Sequence, residues 1–174
     1  YKDYSGVITV AIPANYVSDA SGNKNAATTI TTGIDLPAGT GSSQVIDVVD
    51  PAIEKEDLTV DAIAKTATIK FKATDKYFKA STLTKDNISV LVNGTTTTSG
   101  ITKTLDSKDL TEQRTVGSTT STVRYGIEYT LTVTGFSSTA NQVKIKIPAG
   151  VVTDNYGNSN KETYLMLYNK LVTA

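Results

Sequence analysis

Two short clusters of aspartate, glycine and asparagine have the residue types and the spacing that a bound cation needs. Both follow the pattern Asp-x-x-Gly-Asn-x-Asn; one begins at Asp19 and the other, 135 residues later, at Asp154. Hard cations such as calcium take several oxygen ligands from one loop. Each cluster has a single carboxylate, which is too little charge for a strong site. The hypothesis is weak calcium binding, with the metal ligands Asp19, Asn23, Asp154 and Asn158, and with Asp47, Asp50 or Glu54 joining from an interdomain edge.

The same residue types also stabilise tight turns without an ion. Asp and Asn side chains bond to the backbone of their own turn, and glycine supplies the positive φ that such turns require. The sequence favours this turn-capping role for both clusters over calcium binding. We expect no cofactor other than weakly bound calcium.

The composition argues against catalysis. The 174 residues include no histidine and no cysteine, so the usual general base near neutral pH and the ordinary triads and zinc sites are missing. An acidic run surrounds Pro51, but its spacing gives no evidence that two carboxylates face one sugar, as glycoside hydrolysis requires. The sequence therefore predicts that the protein is not an enzyme. It predicts that the acidic run lies in solvent where a strand begins; the run consists of Asp47, Asp50, Glu54, Glu56 and Asp57.

The charge pattern argues against two further classes of partner. Seventeen basic residues balance seventeen acidic ones, and neither sign gathers into a stripe that could follow a phosphate backbone. No apolar run approaches the ~20 residues that cross a bilayer as a helix. We expect neither nucleic-acid binding nor membrane insertion.

The nine tyrosines of the chain could supply a platform on which a sugar stacks, although the chain has no tryptophan. Tyr129, Tyr164 and Tyr168 are in phase with apolar positions, which favours a place in the core. Tyr125 and Tyr156 are freer to stack on a ligand. A carbohydrate-binding or adhesive ligand-binding module is therefore the alternative function.

Two further motifs fit the acceptor pattern for N-linked glycans. They are Asn87-Ile-Ser and Asn93-Gly-Thr. The pattern is short, and it has meaning only where the source organism glycosylates its surface proteins.

An internal repeat decides the organisation of the chain. Residues 12–25 align with residues 147–160 without a gap, at a constant offset of 135, and eight of the fourteen positions are identical. A fixed period marks a unit that is copied along the chain. We therefore expect three segments: the C-terminal closing strands of a preceding repeat over 1–36, a linker rich in Gly, Pro and Ser over 37–44, and a complete domain over 45–174.

The complete domain has the sequence pattern of β-strands. From Ala67 to Ala73 apolar residues alternate with Thr and Lys, which is the period of a strand with one buried face. The alternation returns at 88–92, 127–133, 143–147 and 164–168, and more weakly at 45–49, 58–63 and 101–105. A turn of helix is expected within 75–83. Short strands separated by turns favour an all-β, antiparallel sandwich of about seven to eight strands.

The closing segments resemble the Ig-like repeats of prokaryotic surface-layer, adhesin and cell-wall proteins. The resemblance is carried by the strand 129–135, the segment Val143-Lys-Ile-Lys-Ile-Pro-Ala-Gly-Val-Val-Thr-Asp154 and the following Gly157-Asn158 turn. The chain departs from the pattern at Asn155-Tyr156, where a small residue is common. It departs again in the upstream copy, where Asn15 stands in place of the glycine of the Pro-Ala-Gly step. The resemblance implies an Ig-like fold and an extracellular location at the cell surface or in the cell wall.

The function expected from this resemblance is structural. A chain of sandwiches would serve as a repeat of a surface layer, fibre or adhesin stalk, with neighbouring repeats of the same protein as its partners. Closing strands separated from the rest of their sheets would leave apolar faces and unpaired edges. We expect residues 1–36 to pair either with the remainder of their own domain or with another chain by strand complementation, which would form a homopolymer or filament.

Overall fold

The computed structural model describes residues 5–6, 8–32, 46–116, 118–137 and 139–169. Within these ranges every regular element is a β-strand, so none of the chain that is described forms a helix able to cross a membrane. Backbone contacts divide the chain into two compact units, residues 1–49 with 115–120 and residues 50–114 with 121–174. The expected linker at 37–44 lies outside the described residues, and the expected domain boundaries stay a prediction.

The first unit contains two antiparallel strand pairs. Strand β1 (Ser5–Gly6) pairs with β4 (Ile46–Asp47). Strand β2 (Ile8–Ile12) pairs with β3 (Thr28–Thr32), and the residues between them form a compact turn. This hairpin occupies the stretch that the sequence assigns to the closing strands of a preceding repeat.

Ten strands lie wholly or mainly in the second unit among its described residues. The sequence predicts seven to eight, and the difference lies in very short strands that apolar alternation does not reveal. The strands are β5 (Ala52–Asp61), β6 (Thr66–Thr74), β7 (Phe78–Ser81), β8 (Ser89–Val92), β9 (Thr95–Thr96), β10 (Thr102–Val116), β11 (Thr119–Thr134), β12 (Gln142–Ile147), β13 (Val152–Asp154) and β14 (Thr163–Asn169).

Two four-stranded sheets form the body of this unit. One has the strand order β10-β11-β6-β5 and the other the order β14-β12-β8-β9, while β13 and β7 make a separate two-stranded ladder. The ladders between β11 and β6, between β12 and β14, and between β12 and β8 are antiparallel. The expected all-β sandwich is confirmed.

The core follows directly from the period of two. On β6, Ile69 and Phe71 are fully buried, and on β11 their cross-strand partners Leu131 and Tyr129 are buried with them. The ring centroids of Phe71 and Tyr129 lie 5.2 Å apart in a stacked arrangement. Each such side chain contributes roughly 1.5–3 kcal/mol by leaving water, so these alternating residues supply most of the stability of the unit.

The opposite faces of the same strands are polar. Lys72 on β6 forms an ion pair with Glu56 at 3.1 Å, and Lys146 on β12 forms one with Glu162 at 3.1 Å. These pairs are solvent-exposed and add little to stability. Their lysines keep one face of each strand hydrated, as the alternation predicts.

Three local expectations were wrong. Residues 75–83 form no helical turn, because Phe78–Ser81 pairs with β13 as a strand. Strand β10 runs over Thr102–Val116, far beyond 105, since its polar residues pair through the backbone and need no apolar period. Tyr164 is 49% exposed, because its register opposite Lys146 places it on the outer face of the sheet.

Candidate functional site

The Asp154 cluster forms a tight turn that the aspartate's own carboxylate holds together. Oδ1 of Asp154 accepts hydrogen bonds from the backbone N–H groups of Tyr156 and Asn158, both at 2.8 Å. Oδ2 accepts a third bond from Nδ2 of Asn158 at 2.6 Å. The Asp154 side chain is 1% exposed, so these donors replace the water that a surface carboxylate would bind.

Asn160 closes the base of the same turn. Its Oδ1 accepts from the N–H of Val152 at 2.8 Å, and its Nδ2 donates to the carbonyls of Pro148 and Lys161 at 3.0 and 2.9 Å. Its backbone also exchanges bonds with Val152 and Gly150. One residue thus ties three separate backbone segments together.

The Asp19 cluster has the same bonds at the same positions. Oδ1 of Asp19 accepts from the N–H groups of Ser21 and Asn23 at 2.9 Å, and Oδ2 accepts from Nδ2 of Asn23 at 2.8 Å. Asn25 lies 135 residues upstream of Asn160 and makes the corresponding bonds. Its side chain bonds to the N–H of Val17 and to the carbonyls of Pro13 and Ala26.

Backbone conformation repeats as well. Gly22 and Gly157 have φ values of 84° and 93°, and Asn15 and Gly150 have φ values of 66° and 79°. Asparagine is among the few residues other than glycine that accept this left-handed conformation. The departure from the repeat pattern at Asn15 is therefore conformationally conservative.

The flanking strands match in register too. Ile12 pairs with Thr28 and Val10 with Ile30 in the first unit, while Ile147 pairs with Thr163 and Ile145 with Leu165 in the second. Each second-unit pair lies 135 residues beyond its counterpart in both strands. The two registers diverge only where a bulge interrupts β12 between Val143 and Lys144.

The two copies differ in what covers them. Ile145, Ile147 and Val152 are fully buried in the second unit. Their counterparts Val10, Ile12 and Val17 are 49%, 37% and 63% exposed. The first hairpin thus has the local structure of a closing hairpin, but its apolar side chains Val10, Ile12 and Val17 are open to solvent.

A second carboxylate lies beside Asp154 within the second unit. Asp75 follows the end of β6, is 8% exposed, and accepts a hydrogen bond from the N–H of Tyr77 at 2.6 Å. Carboxylate oxygens of Asp75 and Asp154 lie within 4.8 Å of each other. Two charged carboxylates this close repel one another, and a bound cation would relieve that repulsion.

Sequence reasoning did not select Asp75. Its position, directly after the last alternating residue of a strand, is the signal that could have found it. The structure does not bring Asp50 or Glu54 into this pair; Asp50 forms an ion pair with Lys161 at 2.9 Å, and Glu54 is exposed on β5. Calcium binding at the two turns stays a prediction.

Electrostatics at the Asp19 turn agree with its hydrogen bonds. The side chain and backbone of Asn23 donate to the carboxylate and hold the pKa of Asp19 below its ordinary value of 3.8. A carboxylate that accepts several hydrogen bonds is stabilised in its charged form. The turn therefore keeps its full set of bonds only while Asp19 is ionised.

The remaining acidic residues of the run around Pro51 are solvated, as expected. Glu54, Glu56 and Asp57 are exposed on β5, and Oδ1 of Asp57 accepts from the N–H of Leu58 at 2.8 Å. Asp47 differs because it is 7% exposed, and its Oδ1 accepts from the N–H of Val49 at 3.0 Å.

The tyrosines divide between core and surface. Tyr129 is buried, and burial raises the pKa of its hydroxyl, which donates to Oγ of Ser81 at 2.7 Å. Tyr168 packs partly against the core. Tyr125 is half-buried and lines a shallow groove of about 280 Å³ with Asp75, Lys76, Glu112, Arg114 and Thr74.

The two glycan acceptor motifs lie at exposed positions around β8. Nδ2 of Asn87 donates to the carbonyl of Thr82 at 3.2 Å. Oδ1 of Asn93 accepts from the N–H groups of Asn141 and Gln142 at 2.9 and 3.1 Å. Asn93 thereby fastens the β8–β9 turn to the start of β12, and glycosylation of either residue stays a prediction.

Comparison with known proteins gives no relative. No family model matches the sequence, and no curated protein and no solved structure shows detectable similarity to the chain. The function must therefore be inferred from the residues and the fold.

Proposed function

We propose that this chain is a structural, non-catalytic part of an extracellular surface protein, such as a surface layer, fibre or adhesin stalk, built from successive Ig-like β-sandwiches. In this proposal the second unit is a complete repeat and the hairpin β2–β3 closes the repeat before it. Neighbouring repeats of the same protein are the partners, and units join by strand complementation.

One observation carries the proposal. The side-chain hydrogen bonds of the turn at 15–25 recur at 150–160 at a single offset of 135. Three of the four backbone bonds within 15–25 recur as well, together with the positive φ values and the registers of the flanking strands. A loop that evolved for a ligand would preserve the groups aimed at that ligand. Here the repeated groups are the ones that bond to the turn's own backbone, which favours copying for architecture.

The core of the second unit fits a mechanical role. Ile69, Leu131 and Ile145 come from different strands and are all fully buried, and long antiparallel ladders connect those strands to their neighbours. Such a unit resists proteolysis because the free energy needed to open its core strands locally approaches the free energy of global unfolding.

Limited proteolysis followed by intact-mass analysis tests this function. A fragment that begins near residue 50 and contains 52–169 should survive at protease concentrations that cleave the hairpin of the first unit. Rapid cleavage within β6, β11 or β12 would contradict a robust structural module.

The groove beside Tyr125 is the observation that favours the alternative function. An aromatic ring next to Arg114 and Glu112 offers both stacking and hydrogen bonding to a sugar. A glycan array distinguishes the two functions: the structural proposal expects no binding above background. Saturable binding that Tyr125→Ala abolishes would establish a carbohydrate-binding module instead, with Tyr164→Ala, at a tyrosine 49% exposed on β14, as the control.

A further inference from the structure

The complete unit shows what a closing hairpin of this type packs against. Strand β12 is paired on both sides, with β14 on one edge and with β8 on the other, where Ile145 lies opposite Val90. Among the described residues β2 has only β3 as a partner. In the part of the chain that the structure describes, no strand pairs with the edge of β2 that corresponds to the β8 side of β12.

The turn at 150–160 in the second unit is also covered by another strand. In the second unit, β7 pairs with β13, and the N–H of Asn155 donates to the carbonyl of Tyr77 at 2.9 Å while the carbonyl of Val151 accepts from Thr82 at 2.8 Å. The counterparts of Asn155 and Val151 are Ala20 and Tyr16. Neither has such a partner among the residues that the structure describes, and Tyr16 is 80% exposed.

We propose that the open face and edge of the hairpin β2–β3 bind a copy of residues 46–135, the front part of this same repeat, in the register seen within the second unit. This inference rests on the proposed function and names the partner of its first hairpin. The strand equivalent to β8 runs antiparallel along β2, with its Val90 opposite Val10. The strand equivalent to β7 covers the turn at Val17.

The partner is identified by the duplication. A hairpin with the same turn, register and apolar positions as 142–169 needs the same complement, and in the described part of the chain that complement is formed by the sheet and strands of residues 46–135. Main-chain pairing along β2 supplies affinity, and alternate apolar side chains supply register.

Cysteine labelling tests the inference because the chain has no cysteine of its own. Two proteins are compared: the full chain, and a fusion in which a copy of residues 46–135 directly precedes Tyr1, which continues the period of 135. Val17→Cys is placed in both. The expected result is fast reaction with a thiol reagent in the chain alone and a rate lower by at least about tenfold in the fusion, since a buried thiol reacts only through opening.

Two matched variants calibrate the measurement. Val152→Cys, at the buried counterpart of Val17, should be protected in both proteins, and Ile63→Cys, which replaces a residue 96% exposed, should react fast in both. Protection at Val152→Cys also shows that the second unit of the fusion is folded. Adding Val10→Lys to the fusion should restore fast reaction at position 17, because a charge would face the apolar complement.

Other results would overturn the inference. Equal, fast reaction at position 17 in the chain and in the fusion, with Val152→Cys protected, would show that the front part of the repeat does not cover the hairpin. Protection in the chain alone that increases with protein concentration would identify a second copy of the whole chain as the occupant. Neither result would contradict the proposed structural function, because that proposal is tested by the protease resistance of the second unit and by the absence of glycan binding.

Discussion

Replacing Asp154 by alanine should destabilise the second unit by about 3–5 kcal/mol. The change removes the acceptor of three hydrogen bonds, from the N–H groups of Tyr156 and Asn158 and from Nδ2 of Asn158. Each bond to a charged acceptor contributes roughly 1.5–3 kcal/mol, and the contributions of neighbouring bonds are less than additive. The site is buried, so water cannot replace the lost acceptor without cost.

Urea denaturation followed by circular dichroism measures the effect. With a slope of about 2 kcal/mol per molar urea, the middle of the usual range for small domains, the midpoint should fall by roughly 1.5–2.5 M. Asp19→Ala is the matched control: it removes the same three bonds from an exposed turn outside the second unit, so the transition of the second unit should not move.

Asp154→Asn separates hydrogen bonding from charge. The amide oxygen of the new asparagine can still accept from the two backbone N–H groups, but its NH₂ group faces Nδ2 of Asn158, which is also a donor. We therefore expect a loss of stability that is smaller than the loss for alanine. A midpoint lowered by less than about 0.3 M in Asp154→Ala would refute the hydrogen-bond account. Stabilisation by Asp154→Asn would show that repulsion from Asp75 outweighs the bonds.

Three further results are expected. Gly135→Ala should lower the free energy of unfolding by about 2–4 kcal/mol, because φ is 85° and an added Cβ would strike the backbone oxygen of Gly100. Gly94→Ala is the control: its φ is 87° but the space around it is open, so the same urea assay should give a loss of only about 1 kcal/mol. Because the folded pKa of Asp19 is depressed, its contribution is present above pH ~3.9 and is lost as the pH falls through the lower folded value; NMR titration of the Asp19 side chain should give a pKa below 3.8, and a value above it would disprove the capping bonds. EDTA and added calcium should leave the melting temperature unchanged if the turns are capped without metal, whereas a calcium-dependent rise that Asp75→Asn removes would establish a metal site.

The period of two made the strands of the core predictable from sequence. Ile69, Phe71 and Ile145 alternate with Lys or Thr, and only a strand with one buried face explains that order. Strand β7 was missed because Phe78–Ser81 is too short to show alternation. Its conformation is decided by pairing with a strand far along the chain, which local sequence does not contain.

The turns were predictable for a different reason. Asp, Gly and Asn at fixed spacing satisfy the local demands of a capped turn, so residues 19–25 and 154–160 carry their own structure. The neighbourhood of Asp75 and Asp154 was not predictable, since it depends on where β6 ends relative to β13 in space. An open apolar face on the first hairpin followed from the expected segment boundaries, whereas the degree to which Val10 and Val17 are exposed was visible only in the structure.

Backbone NMR of the isolated chain tests most directly that the two turns are copies of one closing hairpin. We predict matching secondary chemical shifts for residues 12–25 and 147–160, including left-handed values at both Asn15 and Gly150. We also predict NOE contacts between Asn25 and Val17 that mirror those between Asn160 and Val152. Random-coil shifts for 12–25, or a different pattern of contacts across that turn, would contradict the account.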